Sequence, residues 1–155
     1  MAETGKRSST FEVVTAMILK CRACALDLMS EAEVRLGFAA STRHLLHGLL
    51  TSVEGYYGNC LYPIAVAKST EEINKAPLVS VISLIKGAKE ALSTKFVDWM
   101  YGRNESYYNM PLDYGTMVVS DWSKVGLNEV DFGWGPPNYV FLKMGNHLCL
   151  KMGSG

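Results

Sequence analysis

The sequence has no excess of charge of either sign and no long apolar run. Its 15 Lys and Arg residues balance 15 Asp and Glu residues, and charged residues make up only 19% of the 155. A neutral chain without a basic cluster does not have the electrostatic footprint of a nucleic-acid or membrane-surface protein. No apolar stretch is long enough to cross a bilayer, and the polar first ten residues do not resemble a signal peptide. We therefore expect a cytoplasmic protein with no nucleic-acid or membrane partner.

Histidine and cysteine are also scarce, which argues against a metal centre. Cys21 and Cys24 form one CxxC pair within a helical pattern, and no second pair accompanies it, so zinc is not expected. His44 and His47 form an HxxH pair, but no third or fourth ligand is near them in the sequence. A P-loop and a GxGxxG motif are absent too. We expect no metal and no bound cofactor, and reduced thiols of the kind found in the cytosol.

The composition that is present, 48% apolar over 155 residues, suits one globular domain with its own core. Ser9 and Glu12 fit a capping box at the start of a helix over about 10–28. Lys20 and Arg22 lie off the apolar stripe of that helix, towards solvent. The residues that recur every three or four places, and are therefore expected to face the core, are Phe11, Val14, Ile18, Cys21, Ala25 and Leu28.

Strands and further helices follow. The pattern predicts strands over 34–41, 60–67 and 116–120, and a hairpin of two strands over 138–143 and 147–151. Pro63 favours an edge position, or a strand start, for the second strand. Ser69 and Glu72 form a second capping box before a short helix, and Pro77 suits the first position of a helix that runs to about Tyr101. The expected buried stripe of that last helix is Leu78, Val81, Ile85, Ala88, Leu92, Phe96 and Trp99.

The stretch Val118–Gly135 organises the rest of the chain. It leads from a strand through Ser120-Asp121-Trp122 to Asp131-Phe132-Gly133-Trp134-Gly135. The two glycines can adopt positive φ, and the two aromatic residues are large apolar anchors that we expect to be buried. A polar loop over 102–114 precedes this stretch and is either the rim of a substrate entrance or an ordinary surface loop.

The DFGWG sequence at 131–135 resembles the signature of the plant BAHD acyltransferases, which are acyl-CoA-dependent enzymes. Three more motifs, in the order of that family, support the resemblance, which covers about Ser8 to about Pro137. They are Ser9-Thr10-Phe11-Glu12 before a helix, Phe38-Ala-Ala-Ser-Thr-Arg43 at a strand end, and Gly55-Tyr-Tyr-Gly-Asn59 at a turn. A chance DFGWG in an unrelated α/β protein would not explain the agreement of all four.

The resemblance implies an α/β (α+β) fold like that of chloramphenicol acetyltransferase, with a mixed β-sheet and flanking helices. Residues 1–8 would be a disordered tail, and 9–152 a C-terminal acyltransferase-like domain, incomplete at its own C-terminus. Gly58 and Asn59 would form the family's turn. Arg43 would pair with the aspartate of DFGWG, although the sequence alone also allows a solvated loop arginine; the structural motif residues are Asp131, Phe132, Gly133, Trp134, Gly135, Arg43, Gly58 and Asn59.

Ser120 and Trp122 match the family positions that line the substrate tunnel, where a hydroxyl can bind an oxyanion and an indole can exclude water. The alternative interpretation is a strand-end serine and a core tryptophan, and for Trp122 the two roles do not exclude each other. The family's catalytic HxxxD motif is absent, because the fourth residues after His44, His47 and His147 are Gly48, Thr51 and Lys151.

We therefore expect the second domain of an enzyme that moves an acyl group from CoA to an alcohol of a plant specialised metabolite. Acyl-CoA is its co-substrate and no cofactor is bound. The chain alone is expected to be inactive, and its partners are an amino-terminal half or a second copy. The alternative is a non-catalytic half-protein that acts as an interaction or regulatory module.

Overall fold

The computed structural model describes residues 7–48, 52, 54–103, 110–111, 113–123, 126–144 and 147–153. Contacts divide the chain into a first unit, Met1–Ser120, and a second unit, Asp121–Gly155. The predicted domain range 9–152 spans both and stays a prediction, and residues 1–6 of the predicted tail lie outside the described residues. The elements are α1 (Thr10–Ala25), β1 (Glu33–Ser41), β2 (Leu61–Ser69), α2 (Thr70–Lys75), α3 (Leu78–Glu90), α4 (Leu92–Met100), β3 (Thr116–Val119), β4 (Tyr139–Met144) and β5 (His147–Gly153), with 3₁₀ helices at Arg43–Gly48 and Leu127–Glu129.

The first unit is built on a three-stranded sheet in the order β2-β1-β3. β1 is antiparallel to β2 and parallel to β3, so the mixed sheet with flanking helices that the sequence predicts is confirmed. Alternate side chains of a strand point to one face, and the face directed into the core carries Val34, Leu36, Phe38, Tyr62, Ile64 and Val66. The same core holds Leu19, Val81, Ile85 and Phe96 from the helices.

Pro63 lies in the outer strand of this sheet, as predicted. The backbone N–H of Thr42 donates to the carbonyl oxygen of Cys60 at 2.8 Å, which makes that pair a hydrogen-bonded one. Hydrogen-bonded and non-hydrogen-bonded pairs alternate along an antiparallel ladder. The pair of Ala39 and Pro63 is therefore non-hydrogen-bonded. The nitrogen of Pro63 faces away from β1, so its lack of a hydrogen costs the β1–β2 ladder no hydrogen bond.

Both predicted capping boxes are confirmed. The hydroxyl of Ser9 accepts from the N–H of Glu12, whose carboxylate accepts from the N–H of Ser9. Ser69 and Glu72 make the same exchange at the start of α2. Hydrogen bonds from Lys68 and from the backbone and side chain of Ser69 lower the pKa of Glu72 to about 2.

Three predicted helix boundaries are wrong. α1 ends at Ala25 rather than near 28, and Asp27 then adopts φ 45°, a left-handed conformation that stops a helix. Pro77 is the residue before α3, not its first residue, because its ψ of 152° is extended. The helix predicted to continue to Tyr101 is two helices, since the N–H of Ala91 binds the carbonyls of Gly87 and Lys89 in a tight turn.

The buried face of α1 is not the one that its apolar periodicity predicts. The buried residues are Glu12, Thr15, Ala16, Leu19 and Ala23. Of the predicted stripe, Phe11 and Leu28 are packed against the core, the latter beyond the end of the helix, but Val14, Ile18, Cys21 and Ala25 are exposed. Small residues on the inner side allow the close approach of α1 to its neighbours.

Long-range polar contacts fix this rotation of α1. The ammonium group of Lys20 donates to the carbonyl oxygens of Ile73, Asn74 and Ala76 at 2.8, 3.1 and 2.6 Å, and it thereby caps the end of α2. The guanidinium group of Arg22 donates to the carbonyl oxygen of Tyr114 at 2.8 Å. The prediction that both cations point to solvent is therefore wrong. Hydropathy periodicity contains no information about such partners.

Among the residues whose burial the structure describes, Glu12 is the most buried charged residue. It is 5% exposed, and its carboxylate accepts from the ammonium group of Lys89 on α3 at 2.6 Å. Burial raises the pKa of Glu12, but the bonds from Lys89 and Ser9 outweigh burial, so that the pKa lies below its ordinary value of 4.5. The pair ties α1 to α3.

We expect Glu12→Gln to destabilise the protein by about 1–2 kcal/mol at neutral pH, because it leaves the Lys89 ammonium without its charged partner. A depressed carboxylate pKa contributes stability that is present above the unfolded pKa and is lost as the pH falls through the folded one. Urea unfolding between pH 7 and pH 3 should therefore show the two proteins converging below about pH 4.5. Glu71→Gln, at an exposed pair with Lys75, is the control, and an equal loss in it would contradict the assignment.

In the second unit, β4 and β5 pair in an antiparallel manner, which confirms the predicted hairpin. The 3₁₀ helix Leu127–Glu129 follows Gly126, whose φ is 75°. None of the helices in the described ranges has the length and apolar character needed to cross a membrane.

Candidate functional site

Arg43, which follows the end of β1, is hydrogen-bonded to the segment before β2. Its guanidinium group donates to the carbonyl oxygen of Gly58 at 2.9 Å and to that of Tyr56 at 3.4 Å. Gly58 lies at a bend and has φ 149°, which side-chain-bearing residues rarely adopt. The family turn expected at Gly58 and Asn59 stays a prediction. Two of the sequence motifs are thus joined by direct hydrogen bonds.

Ser120 and Trp122 lie where β3 ends. Ser120 directly follows the strand residue Val119 and is exposed, and Trp122 is 37% exposed. Between them, the carboxylate of Asp121 accepts from the N–H of Ser123 at 2.9 Å and from its hydroxyl at 2.6 Å, which fixes the backbone of this corner locally. An exposed serine hydroxyl can donate to a bound oxyanion, and an indole can exclude water from a site that it lines.

The DFGWG corner is organised by one carboxylate oxygen. Oδ1 of Asp131 accepts from the backbone N–H groups of Gly133, Trp134 and Gly135 at 2.7, 3.1 and 2.9 Å. Both glycines have the positive φ that the sequence predicts, 94° and 90°. The carboxylate oxygen thereby accepts from three consecutive backbone N–H groups that converge on one point, an arrangement that favours an anion.

The prediction that the two aromatic residues of this corner are buried is wrong for this chain. Phe132 is 87% exposed and Trp134 is 96% exposed. The turn closed by Asp131 uses backbone groups only, so it sets the positions of both rings without requiring either to be packed. Large exposed aromatic residues in a defined loop are typical of a surface that contacts a partner.

A cleft with a volume of about 320 Å³ opens in the first unit beside the turn that Arg43 holds. Eight residues line it: Leu46, Tyr56, Asn59, Leu61, Phe96, Trp99, Met100 and Tyr101. The sequence identifies Phe96 and Trp99 only as core positions and did not single out the others as a lining. Residues 104–109 and 112 of the loop predicted to form a substrate rim lie outside the described residues.

The structure offers no candidate metal centre in the part of the chain that it describes. His44 and His47 are both exposed on the 3₁₀ helix Arg43–Gly48. Cys21, Cys24 and Cys60 are free thiols.

The predicted pairing of Arg43 with Asp131 can be tested by a double-mutant cycle. Asp131→Asn retains an acceptor oxygen for the three N–H groups but removes the charge, whereas Asp131→Ala removes both. If the ion pair exists, Asp131→Asn and Arg43→Gln should be non-additive by about 0.5–3 kcal/mol in thermal unfolding. Additive losses would mean that Asp131 acts on its own corner alone.

Comparisons with known proteins show that most of the chain is similar to transferases. The Transferase family matches residues 2–149. Acyl transferase 9 of Oryza sativa subsp. japonica is 38% identical over 140 residues, which are 90% of this chain and 32% of that protein. The myricetin 3-O-glucosyl 1,2-rhamnoside 6'-O-caffeoyltransferase AT1 of Crocosmia x crocosmiiflora is 37% identical over 139 residues, with shares of 89% and 32%.

The fold has a solved counterpart. The crystal structure of TRI101 from F. sporotrichioides, complexed with coenzyme A and T-2, matches with a TM-score of 0.69 at 20% identity and covers 88% of this chain and 33% of that one. The chain therefore spans about one third of the length of the proteins that it matches.

Proposed function

The chain belongs to the Transferase family, among relatives that are plant acyltransferases of the BAHD type, and on this premise we propose that it is the second-domain portion of an acyl-CoA-dependent O-acyltransferase. The observation that carries the proposal is the corner at residues 131–135, in which one carboxylate oxygen holds three backbone N–H groups. The acceptor that we propose is an alcohol of a plant specialised metabolite. The named activity of the Crocosmia relative supports an alcohol as the acceptor. The coenzyme A in the TRI101 complex supports acyl-CoA as the donor.

In the proposed reaction the acceptor hydroxyl attacks the thioester carbonyl carbon of acyl-CoA. A new C–O bond forms, the C–S bond breaks, and the proton of the hydroxyl passes through a general base to the departing CoA thiol. Ser120 donates its hydroxyl hydrogen to the oxyanion of the tetrahedral intermediate, and Trp122 walls the reacting atoms from water. No metal or bound cofactor takes part in this scheme.

The general base is not in these 155 residues, because no HxxxD motif occurs in them. In the proposal the histidine comes from another polypeptide segment, an amino-terminal half that packs beside this chain. Without general-base catalysis a reaction is slower by about 10²–10⁴-fold. The chain by itself is therefore expected to have negligible turnover.

The test is an assay of the purified chain with acyl-CoA and an alcohol acceptor, in which released CoA thiol is measured with a thiol reagent. We expect no release above that of buffer. Turnover in the range typical of enzymes, roughly 1–10³ per second, would contradict the division of labour that we propose. The protein's own thiols, including Cys21 and Cys24, are titrated first in a reaction without acyl-CoA.

A second candidate function is a non-catalytic interaction or regulatory module. The exposure of Phe132 and Trp134, 87% and 96%, favours it, since such side chains suit a binding surface. The intact mass of the protein isolated from its source separates the two candidates. A species much larger than 17.1 kDa supports the enzyme, and a native species of that mass supports the module. The cytoplasm, with its reduced thiols, is the location we propose for either.

A further inference from the structure

β3 is the strand that leads to Ser120, and it has little apolar surface with which to fix its own position. Of its four residues Met117 is buried, whereas Val118 is 62% exposed. β3 is parallel to β1, so that no hairpin turn joins the two strands and sets their pairing. The apolar pattern of β3 therefore specifies its register on β1 only weakly.

Arg35 of β1 reaches across to the turn that precedes β3. Its guanidinium group donates to Oδ2 of Asp113 at 3.0 Å and pairs with the carboxylate of Glu33 at 2.5 Å. Its backbone N–H donates to the carbonyl oxygen of Gly115 at 2.9 Å. One residue of β1 thus contacts the turn through both its backbone and its side chain.

Asp113 closes this turn from within. Its carbonyl oxygen accepts from the N–H of Thr116 at 3.1 Å. The hydroxyl of Thr116 lies 3.0 Å from Oδ1 of Asp113 and 2.6 Å from the carbonyl oxygen of Pro111. The hydrogen bond with Thr116 and the charge of Arg35 outweigh burial and hold the pKa of Asp113 below its ordinary value of 3.8. The carboxylate is therefore ionised at neutral pH.

The turn also lies too close to β1 for a side chain at Gly115. A Cβ atom there would lie 2.6 Å from the carbonyl oxygen of Glu33, well inside the separation at which two atoms attract each other. From α1, the guanidinium group of Arg22 donates to the carbonyl oxygen of Tyr114 at 2.8 Å. The turn before β3 is thus held by β1 and by α1 at neighbouring residues.

A shift of β3 on β1 would move Ser120. A slip of one residue turns every side chain of a strand to the opposite face, and a slip of two moves each residue by about 7 Å along its neighbour. The side chains of Arg35 and Asp113 are 21% and 52% exposed, and an ion pair at this exposure adds little to the stability of a fold. Such contacts instead distinguish one register of β3 from the others.

We propose that five residues, which we name the β3 clamp, set the register of β3 on β1 and are thereby positioning residues for the Ser120 hydroxyl: Arg22, Arg35, Asp113, Gly115 and Thr116. The step from the clamp to the register stands on the contacts above. The step from the position of Ser120 to the rate of acyl transfer rests on the proposed function.

Hydrogen exchange of the full chain, followed residue by residue by NMR, measures how firmly β3 is held. The N–H of Arg35 points to β3, since it donates to the carbonyl oxygen of Gly115. The direction of the N–H groups alternates along a strand, so the amides of Arg35 and Gly37 monitor the β3 side of β1. Those of Leu36 and Phe38 monitor the β2 side and are an internal reference.

Asp113→Ala and Thr116→Val are the test variants, and we expect each to speed exchange on the β3 side about tenfold and to leave the β2 side unchanged. Thr116→Ser keeps the hydroxyl and is expected to exchange like the wild type. Glu71→Ala is the matched control, because Glu71 pairs with Lys75 and its side chain is 50% exposed against 52% for Asp113. Unchanged exchange in both test variants, or an equal acceleration on both sides of β1, overturns the proposal.

Acyl transfer then tests whether the clamp acts through Ser120. In a fusion that supplies an HxxxD motif ahead of the chain, Asp113→Ala is expected to lower kcat about 10–100-fold with KM for acyl-CoA nearly unchanged. In a fusion that already carries Ser120→Ala, the same change should have no further effect, because the donor that it positions is gone. Equal fractional losses in both backgrounds overturn the positioning role. An inactive fusion counts against the proposed function alone, since hydrogen exchange decides on the clamp.

Discussion

Fused behind an amino-terminal segment that bears an HxxxD motif, the chain is expected to transfer acyl groups from CoA, and Ser120→Ala in that fusion is expected to lower kcat about 10²–10³-fold. The reason is that the hydroxyl at the end of β3 is the donor we assign to the oxyanion, and an alanine cannot replace it. KM for acyl-CoA should change little, because the bond is made in the transition state rather than in the bound substrate.

Ser123→Ala is the control for this experiment. Ser123 lies three residues from Ser120, and its hydroxyl donates to Oδ1 of Asp121 at 2.6 Å. Loss of this hydroxyl should therefore disturb the local backbone but leave the hydrogen bond to the oxyanion in place. Equal kcat values for the two variants would show that Ser120 does not stabilise the oxyanion. A fusion without activity, with native circular dichroism, would count against the acyltransferase proposal itself.

Phe96→Ala is expected to destabilise the first unit by about 3–5 kcal/mol. Phe96 is 3% exposed, and its ring meets the rings of Tyr62 and Trp99 at centroid distances of 6.1 and 5.9 Å. Truncation removes both ring contacts, of which the one with Tyr62 is edge-to-face, and leaves a cavity between α4 and β2. Since whole domains are stable by only about 5–15 kcal/mol, the variant should lose a large part of its resistance to urea.

Val97→Ala serves as the comparison, because its side chain is 38% exposed and surface truncations usually change stability by less than about 0.5 kcal/mol. Both variants can be followed by the fluorescence of Trp99 if Trp122 and Trp134 are first replaced by Phe. Similar unfolding midpoints for the two would show that the aromatic cluster is not a determinant of stability.

The strands and the capping boxes could be predicted because they depend on neighbours in the sequence, whereas the mixed sheet is expected only from the family resemblance. Period-two alternation places Val34, Leu36 and Phe38 on one face, and a serine three residues before a glutamate is sufficient for each helix start. The positive φ of Gly133 and Gly135 is likewise one that their residue type allows. These features need no knowledge of distant segments.

The rotation of α1 and the partners of its cations could not be predicted in the same way. Lys20 donates to three carbonyl groups that lie more than fifty residues further along the chain. Glu12 accepts from Lys89 at a separation of 77 residues. Nor does the composition of DFGWG reveal that Phe132 and Trp134 are exposed, since burial depends on what lies beside them. The predicted pairing of Arg43 with Asp131 and the roles of Ser120 and Trp122 stay predictions.

The nitrogen of Pro63, turned away from β1, has a consequence for the behaviour of the protein at high concentration. A regular outer strand presents a row of N–H and C=O groups on which further strands can be added, and such templates nucleate fibrils. Proline interrupts that row near the start of β2 with a ring and no donor. The outward edge of β2 is therefore a poorer template for an added strand than a regular strand would be.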